Sequence, residues 1–174
     1  MTKNYKTTLK EIKTFVFDID GVFTDGVVII DSNGEQLRTA NVKDGYAVQL
    51  AVKKGFNVAI ISGGTNEAVL RRFAGLGVTD VFLGSSDKVA VLEKYLQQKG
   101  IEMSKVLYMG DDIPDFKVMK MVGLPVCPND AAPEIREISS YISIHGGGKG
   151  CVRDVLEQAM KVQGLWFDDD SHHW

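Results

Sequence analysis

Residues 14–22 read Thr-Phe-Val-Phe-Asp-Ile-Asp-Gly-Val. Thr14 to Ile19 is a short apolar run rich in β-formers, the pattern of a strand buried on both faces. Asp18 falls at the end of this run, where a charge is costly unless it is paired or binds metal. Outward from this stretch the same pattern recurs. Asn57–Ile61 (NVAII), Asp80–Leu83, Val106–Met109 (VLYM), Leu124–Cys127 and Tyr141–Ile144 are further short strands. Helical patterns lie between them. One follows Asp44 as N-cap and closes at Gly55, and Asn66–Leu76 stops at Gly75 and Gly77. Lys88–Gln98 is capped by Asp87 and ended by Gly100, Ile113–Met121 carries Pro114 in its first turn, and Pro133–Ile138 and Val152–Val162 complete the set. Pro114 does no harm there, because a first-turn N–H has no intrahelical partner.

Short strands alternating with helices predict an α/β fold with a doubly wound, Rossmann-like parallel sheet. One element breaks the alternation. Val27–Ile30 and Glu35–Ala40 flank the turn cluster Asp31-Ser32-Asn33-Gly34, which predicts a protruding β-hairpin after the first strand. The chain has 174 residues, a net charge of -3, 44% hydrophobic and 25% charged residues, so a single globular domain with a full core is expected. Mild acidity excludes a general electrostatic footprint for nucleic acid or anionic membrane. Cys127 and Cys151 form neither a disulfide framework nor a CxxC pair. Met1–Lys13 is polar and lacks a signal-peptide run, and no stretch approaches a membrane span. A cytoplasmic protein is expected, with a polar, acidic tail from Asp168 to Trp174.

In open parallel sheets ligands bind beyond the carboxyl ends of the strands. Four strand ends carry Asp18-Ile19-Asp20-Gly21, Ser62-Gly63-Gly64, Ser85-Ser86-Asp87-Lys88 and Gly110-Asp111-Asp112-Ile113-Pro114-Asp115. Several carboxylates in one crevice repel each other, and a hard cation such as Mg²⁺ relieves that repulsion through oxygen ligands. Ser62 and Lys88 add a hydroxyl donor and a cation suited to anionic oxygens. This is a constellation for phosphoryl transfer, in which a carboxylate nucleophile can divide hydrolysis into two steps through an acyl phosphate.

Phe17-Asp18-Ile19-Asp20-Gly21-Val22 resembles the DxDG[VT] signature of the haloacid dehalogenase superfamily, and Ser62, Lys88 and Gly110-Asp111-Asp112-x-x-Asp115 match its other motifs in order. The resemblance covers roughly residues 14–163. It implies that Asp18 is the nucleophile, that Asp20 is the general acid and then base, and that Ser62 and Lys88 bind phosphoryl oxygens. It also implies that Asp18, the Asp20 carbonyl and Asp111 hold Mg²⁺, with Asp112 and Asp115 in support. The gaps between motifs leave no room for the cap domain that often selects the substrate.

Asp18–Gly26 (DIDGVFTDG), Gly34-Glu35, Asn41–Tyr46 (NVKDGY), Gly146–Gly150 with Arg153, and Gly164-Leu165-Trp166 resemble the capless 3-deoxy-D-manno-octulosonate 8-phosphate phosphatases. That resemblance implies a homotetramer in which hairpins 27–40 help to build neighbouring sites. It also implies substrate contacts from Asn41, Val42, Lys43, Asp44, Gly45 and Arg72, with Arg72 or its neighbour Arg71 clamping a sugar-acid carboxylate. One departure counts: many members carry Thr-Gly-Arg where this chain has Ser62-Gly63-Gly64. A nine-carbon sugar-acid 9-phosphate is therefore an alternative substrate. An assembly domain related to sugar-acid cytidylyltransferases and a receiver-type phosphoacceptor are alternatives of other classes. Gly146–Gly150 lacks P-loop spacing, because Lys149 is followed by Gly150 and Cys151. It is expected to be a mobile loop near the site, with Lys149 meeting anionic substrate. His145 has no assigned role, and His172 and His173 in the tail are potential metal ligands.

Overall fold

The computed structural model describes residues 4–172. Met1–Lys3 of the polar N-terminal stretch and His173 and Trp174 of the tail lie outside the described residues. The central strand is β1 (Thr14–Phe17), buried along its whole length. All five strands expected after it are in place: β4 (Asn57–Ile61), β6 (Val106–Met109) and β7 (Leu124–Cys127) keep the expected bounds, and β5 (Asp80–Phe82) is one residue shorter. The fifth is the edge strand β8 (Tyr141–Ile142). All are parallel, in the order β5-β4-β1-β6-β7-β8. The chain therefore leaves β1 toward β4 on one side and returns to β6 on the other. This places the topological switch, and the crevice it makes, beside β1. Register fixes the rest: Phe17 stands beside Ile60 and Met109, so Asp18, Ser62 and Gly110 emerge together at one edge.

Side chains alternate across β1, with Phe15 and Phe17 in one core and Val16 in the other. The first core is closed by α2 (Val42–Lys53) and α7 (Cys151–Val162), and contains edge-on contacts of Phe17 with Phe23 and of Phe23 with Phe73. The second is closed by α4 (Lys88–Lys99), α5 (Phe116–Met119) and α6 (Pro133–Ile138). α3 (Ala68–Ala74) is shorter than 66–76, because the Asn66 side chain accepts the Ala68 N–H and begins the helix later. Residues 113–121 do not form one helix. A 3-10 turn over Ile113–Asp115 precedes α5, and the carboxylate of Asp115 is turned inward at the join. A short helix, α1 (Tyr5–Leu9), was not expected. Asn4 caps it, Leu9 is buried, and Tyr5 stacks on Tyr141 at 4.7 Å.

Two further corrections concern the site. β1 ends at Phe17 rather than Ile19. The Asp18 N–H makes one last ladder bond to the Met109 carbonyl, and the Ile19 carbonyl then accepts the N–H groups of Val22, Phe23 and Thr24 in a tight turn. The N-cap of α2 is Asn41, whose side chain accepts the Lys43 N–H at 2.9 Å, and not Asp44. Asp44 lies fully buried in the first turn, where Oδ1 accepts the Arg153 N–H at 2.7 Å and ties α2 to the start of α7. Residues 27–40 carry an antiparallel pair, β2 (Ile29–Ile30) with β3 (Gln36–Leu37), turned by Asp31, whose carboxylate accepts the Asn33 and Glu35 N–H groups. Val27, Ile29, Ile30 and Leu37 on this ribbon are all more than half exposed.

Candidate active site

Asp18 follows the last residue of the central strand, and Lys88 is the first residue of α4. Asp87 sets the start of that helix by accepting the Val89 and Ala90 N–H groups, so the Lys88 side chain points back into the crevice. Its ammonium donates to Asp115 Oδ1 at 2.7 Å and lies 2.9 Å from Asp18 Oδ2. Asp115 is completely enclosed. Its Oδ1 also accepts the Tyr108 hydroxyl at 2.8 Å, and its Oδ2 accepts the Asp111 N–H at 3.3 Å. Asp111 approaches from the turn after β6, close to Gly21. Gly21 has φ +81°, and a Cβ there would overlap the Asp111 carboxylate. Only glycine serves at that position.

The charges do not balance. Asp18, Asp111 and Asp115 bring carboxylate oxygens within 4.8 Å of one another. Lys88 is their near countercharge. Burial, and then the neighbouring Asp115, push the Asp18 carboxyl up to about 6 against the pull of Lys88. Burial followed by Asp18 and Asp115 raises Asp111 to about 7. Burial works against the charge of Lys88, but Asp115 and Asp18 outweigh it, so its pKa is raised and it stays a cation. Burial, reinforced by Asp115 and Asp18, lifts the Tyr108 phenol well above its usual value, so it acts as a donor at any working pH. An oxygen-only set with excess negative charge fits a hard divalent cation. Asp111, and Asp18 through the oxygen that Lys88 does not hold, can face such an ion, whereas Asp115 is engaged on both oxygens by Lys88, Tyr108 and the Asp111 N–H.

Ser62 is nearly buried beyond β4, and its Oγ accepts the Gly64 N–H at 3.2 Å. A cavity of about 490 Å³ opens beside it, lined by Asp20 and Ser62 on one side and by Gly34–Gln36 and Arg38 of the chain's own hairpin on the other. Asp20 accepts both edges of the Arg38 guanidinium, Nε to Oδ1 at 2.6 Å and Nη2 to Oδ2 at 3.1 Å. The Thr24 hydroxyl is 3.5 Å from Oδ1. A Cβ at position 64 would stand 3.5 Å from Ser62 Oγ and 4.0 Å from Asp20 Oδ2. Gly64 therefore leaves space against the acid.

The profile of the haloacid dehalogenase-like hydrolase family matches residues 72–150. The 3-deoxy-D-manno-octulosonate 8-phosphate phosphatase KdsC of Escherichia coli is 37% identical over 155 residues, which is 89% of this chain and 82% of that protein. A crystal structure of the 3-deoxy-D-manno-octulosonate 8-phosphate phosphatase of Yersinia pestis superposes with a TM-score of 0.92 at 32% identity, covering 94% of this chain and 89% of that one. The enzyme of Moraxella catarrhalis, in complex with magnesium ion, phosphate ion and KDO, gives a TM-score of 0.90 at 34% identity, covering 92% of each chain. The chain belongs to the 3-deoxy-D-manno-octulosonate 8-phosphate phosphatase family of haloacid dehalogenase-like hydrolases.

In this phosphatase the structure gathers Asp18, Asp20, Ser62, Lys88, Asp111 and Asp115 at one sheet edge. Asp112 is exposed, and its carboxylate accepts the N–H of Ile113, so it begins the 3-10 turn, and of these two acids it is Asp115 that contacts Lys88. The segment 41–45 is divided. Asn41 and Gly45 line a second cavity of about 290 Å³, which Arg38 and Arg72 also line. Val42 and Lys43 face another surface, with Tyr46 and Arg153. Asp44 has no exposed surface with which to meet a ligand. The Gly146–Gly150 run is explained by close packing. The Gly148 N–H donates to the Val22 carbonyl at 2.9 Å, and a Cβ at Gly147 would collide with the Gly21 carbonyl. Lys149 pairs with Asp25 at 3.2 Å instead of facing the crevice.

Sequence reasoning missed Arg38, Tyr108 and Thr24. Tyr108 carried a usable signal, since a tyrosine inside a buried central strand needs a partner for its hydroxyl, and the nearest strand end is acidic. Arg38 carried none, because the fold of the hairpin brings it to Asp20 from 18 residues away.

Proposed function

We propose that this protein is a Mg²⁺-dependent phosphomonoesterase that hydrolyses 3-deoxy-D-manno-octulosonate 8-phosphate through a phospho-aspartate at Asp18. The observation that carries the reading is the placement of Asp18 between the Lys88 ammonium at 2.9 Å and the carboxylate of Asp111, with Asp20 two residues on. The Asp18 oxygen attacks phosphorus, the bond from phosphorus to the sugar oxygen breaks, and Asp20 gives that oxygen its proton. Water then attacks the phospho-aspartate, Asp20 takes the water proton, and the Asp18 carboxylate is released with inorganic phosphate. Lys88 and Ser62 hold the phosphoryl oxygens through both steps, and Asp115 and Tyr108 hold Lys88. Acid assistance of this kind is worth about 10²- to 10⁴-fold. Asp18, Asp111 and the Asp20 carbonyl would hold Mg²⁺, which when bound neutralises charge on the phosphoryl oxygens and on the two carboxylates.

The chain acts as one domain without a cap, and we assign it to the cytoplasm, in keeping with two buried cysteines that form no disulfide. Among the described residues no helix is long and apolar enough to cross a membrane. The exposed Val27, Ile29, Ile30 and Leu37 support hairpin-to-hairpin assembly into a homotetramer. Arg72 meets the substrate carboxylate from α3. The space beside Gly64 favours, as a second reading, a nine-carbon sugar-acid phosphate of the same chemistry. A panel of sugar-acid phosphates assayed with and without Mg²⁺ tests both. Preference for the eight-carbon ester, abolished by chelator, is expected. Preference for the nine-carbon ester selects the second reading, and no turnover of any sugar phosphate rejects the enzyme.

A further inference from the structure

Arg38 lies one residue beyond β3, where the hairpin returns to the body of the protein. Its side chain is 18% exposed, and the Asp20 side chain that it grips is 41% exposed. The guanidinium occupies both oxygens of Asp20, and Nη2 donates also to Gln36 Oε1 at 3.3 Å. This fork-on-carboxylate geometry is the strongest that arginine makes. It conflicts with the task of Asp20. An acid that protonates a leaving oxygen must turn one oxygen toward the substrate, and both are taken.

The surroundings of Arg38 show what could release it. Arg38 lines the cavity beside Ser62 and also the one of about 290 Å³ behind it. Arg72 lines that second cavity too, and a Cβ at Gly45 would lie 2.5 Å from its Nη2, so the guanidinium lies over the first turn of α2. Among the described residues lining the second cavity none is acidic. Two guanidinium groups thus border a mostly apolar chamber with no carboxylate of its own, and the Arg38 fork borrows the carboxylate of Asp20. A ligand carboxylate entering the chamber offers Arg38 an equivalent partner, whereas a neutral sugar hydroxyl does not.

We infer that Arg38 is a substrate-binding residue that exchanges the Asp20 carboxylate for the carboxylate of the sugar acid, and that this exchange frees Asp20 to act as the acid. The proposal rests on the phosphatase reading above and names how that site selects acidic sugars. Only an ester carrying the second anion opens the fork without loss; a neutral sugar phosphate must break it unaided.

The test compares the wild type, Arg38→Met and Arg38→Lys on two substrates with Mg²⁺: 3-deoxy-D-manno-octulosonate 8-phosphate, and arabinose 5-phosphate, which has no carboxylate. Melting curves establish that the variants fold. Arg38→Met is expected to lower kcat/KM for the acid ester about 10- to 100-fold, mainly through KM, as for the loss of a charged two-point hydrogen bond. The same variant is expected to raise kcat/KM for the neutral ester about 2- to 5-fold, because a partly exposed ion pair no longer has to be broken. Arg38→Lys falls between on both. Equal losses on the two esters would overturn the inference and leave Arg38 as a positioning residue for Asp20. An unchanged ratio between the esters overturns it as well. A wild type that turns over neither ester, or prefers the neutral one, overturns the substrate reading itself, and the inference with it.

Discussion

Removing divalent metal should make this protein less stable as pH rises, the opposite of ordinary acid denaturation. Asp18 and Asp111 ionise in the folded chain at about 6 and about 7, against 3.8 for an unperturbed carboxyl. A raised carboxyl holds its proton more tightly in the folded than in the unfolded chain. Between pH 4 and 7 the folded state therefore binds more protons, and stability falls with rising pH. The contribution is intact below about pH 4, is lost across that window, and is fully lost above about pH 7. Each tenfold change in proton affinity is worth about 1.4 kcal/mol, which gives about 3 kcal/mol for Asp18 and about 4 kcal/mol for Asp111 taken singly. The charge of Asp18 is already one of the causes that raise Asp111, so the two figures are not independent, and about 4 kcal/mol, the larger of them, is the least their joint effect should be. For a chain of this length that corresponds to a fall in Tm of about 10 °C.

Mg²⁺ should reverse the loss, because a cation between the carboxylates favours their ionised forms. The assay is thermal unfolding from pH 5 to pH 8, in chelator and then in millimolar Mg²⁺. Buried Asp44 titrates in the same direction, pushed up to about 6 by burial against the opposing Arg153 N–H. It lies away from the metal-binding carboxylates and should not respond to Mg²⁺. The quantity that tests the reasoning is therefore the Mg²⁺-dependent rise in Tm, which should be several degrees larger at pH 8 than at pH 5. In Asp111→Asn that rise should disappear, and the chelated protein should be more stable than the wild type at pH 8. A Mg²⁺ effect of the same size at both pH values, or an Asp111→Asn variant that keeps it, would refute the account of the site as a cluster of frustrated carboxylates.

Three further outcomes are expected. Asp18→Asn should abolish turnover with an unchanged circular dichroism spectrum, and residual activity above about 1% of wild type removes Asp18 from the nucleophile's role. Gly21→Ala strains a backbone at φ +81° and drives a methyl group into the Asp111 carboxylate; Mg²⁺ affinity by calorimetry should fall at least about tenfold, and an unchanged affinity contradicts the packing argument. Tyr108→Phe removes the hydroxyl donated to Asp115 at 2.8 Å, so stability should drop by about 1–2 kcal/mol in urea unfolding while KM for substrate stays within about twofold.

Asp18, Ser62, Lys88 and Asp111 are legible in the amino-acid sequence for a physical reason. Each follows a strand or begins a helix, and the parallel register of β1 with β4 and β6 brings such positions together whatever the loops do. The apolar runs and the glycine stops define those strands and helices locally. Asp44 misled for the same reason. As an acid before a helical pattern it reads as a cap, but capping is decided by one residue's backbone geometry, and Asn41 already satisfied the Lys43 N–H. The burial of Asp44 depends on α7 arriving from 109 residues away. Arg38 is harder still. Its hairpin reads as two extended segments about the Asp31-Ser32-Asn33-Gly34 turn cluster, and nothing in that pattern states where the ribbon lies.

The residues around Asp20 fall on two sides of a division, and most of those that local pattern makes legible stand on one of them. On one side of Asp20 stand Asp18, Lys88 and Tyr108, at or within the ends of β1, α4 and β6, with Asp115 from the 3-10 turn before α5, tied by bonds of 2.7–2.9 Å. A phosphoryl group is the same in every substrate, so this half can be rigid, and rigid halves are encoded in local pattern. On the other side stand Gly64, Arg38 and the hairpin, which meet Asp20 only through the fold and through one exchangeable ion pair. Substrates differ in this half, and it has to admit and release them. Asp20 is partly exposed because it belongs to both halves: its position is fixed by the motif, and its partner is set by what occupies the crevice. If Arg38 couples the two, the chain needs no separate cap to tell an acidic sugar phosphate from a neutral one. The acid itself would become available only when the right anion has taken its place.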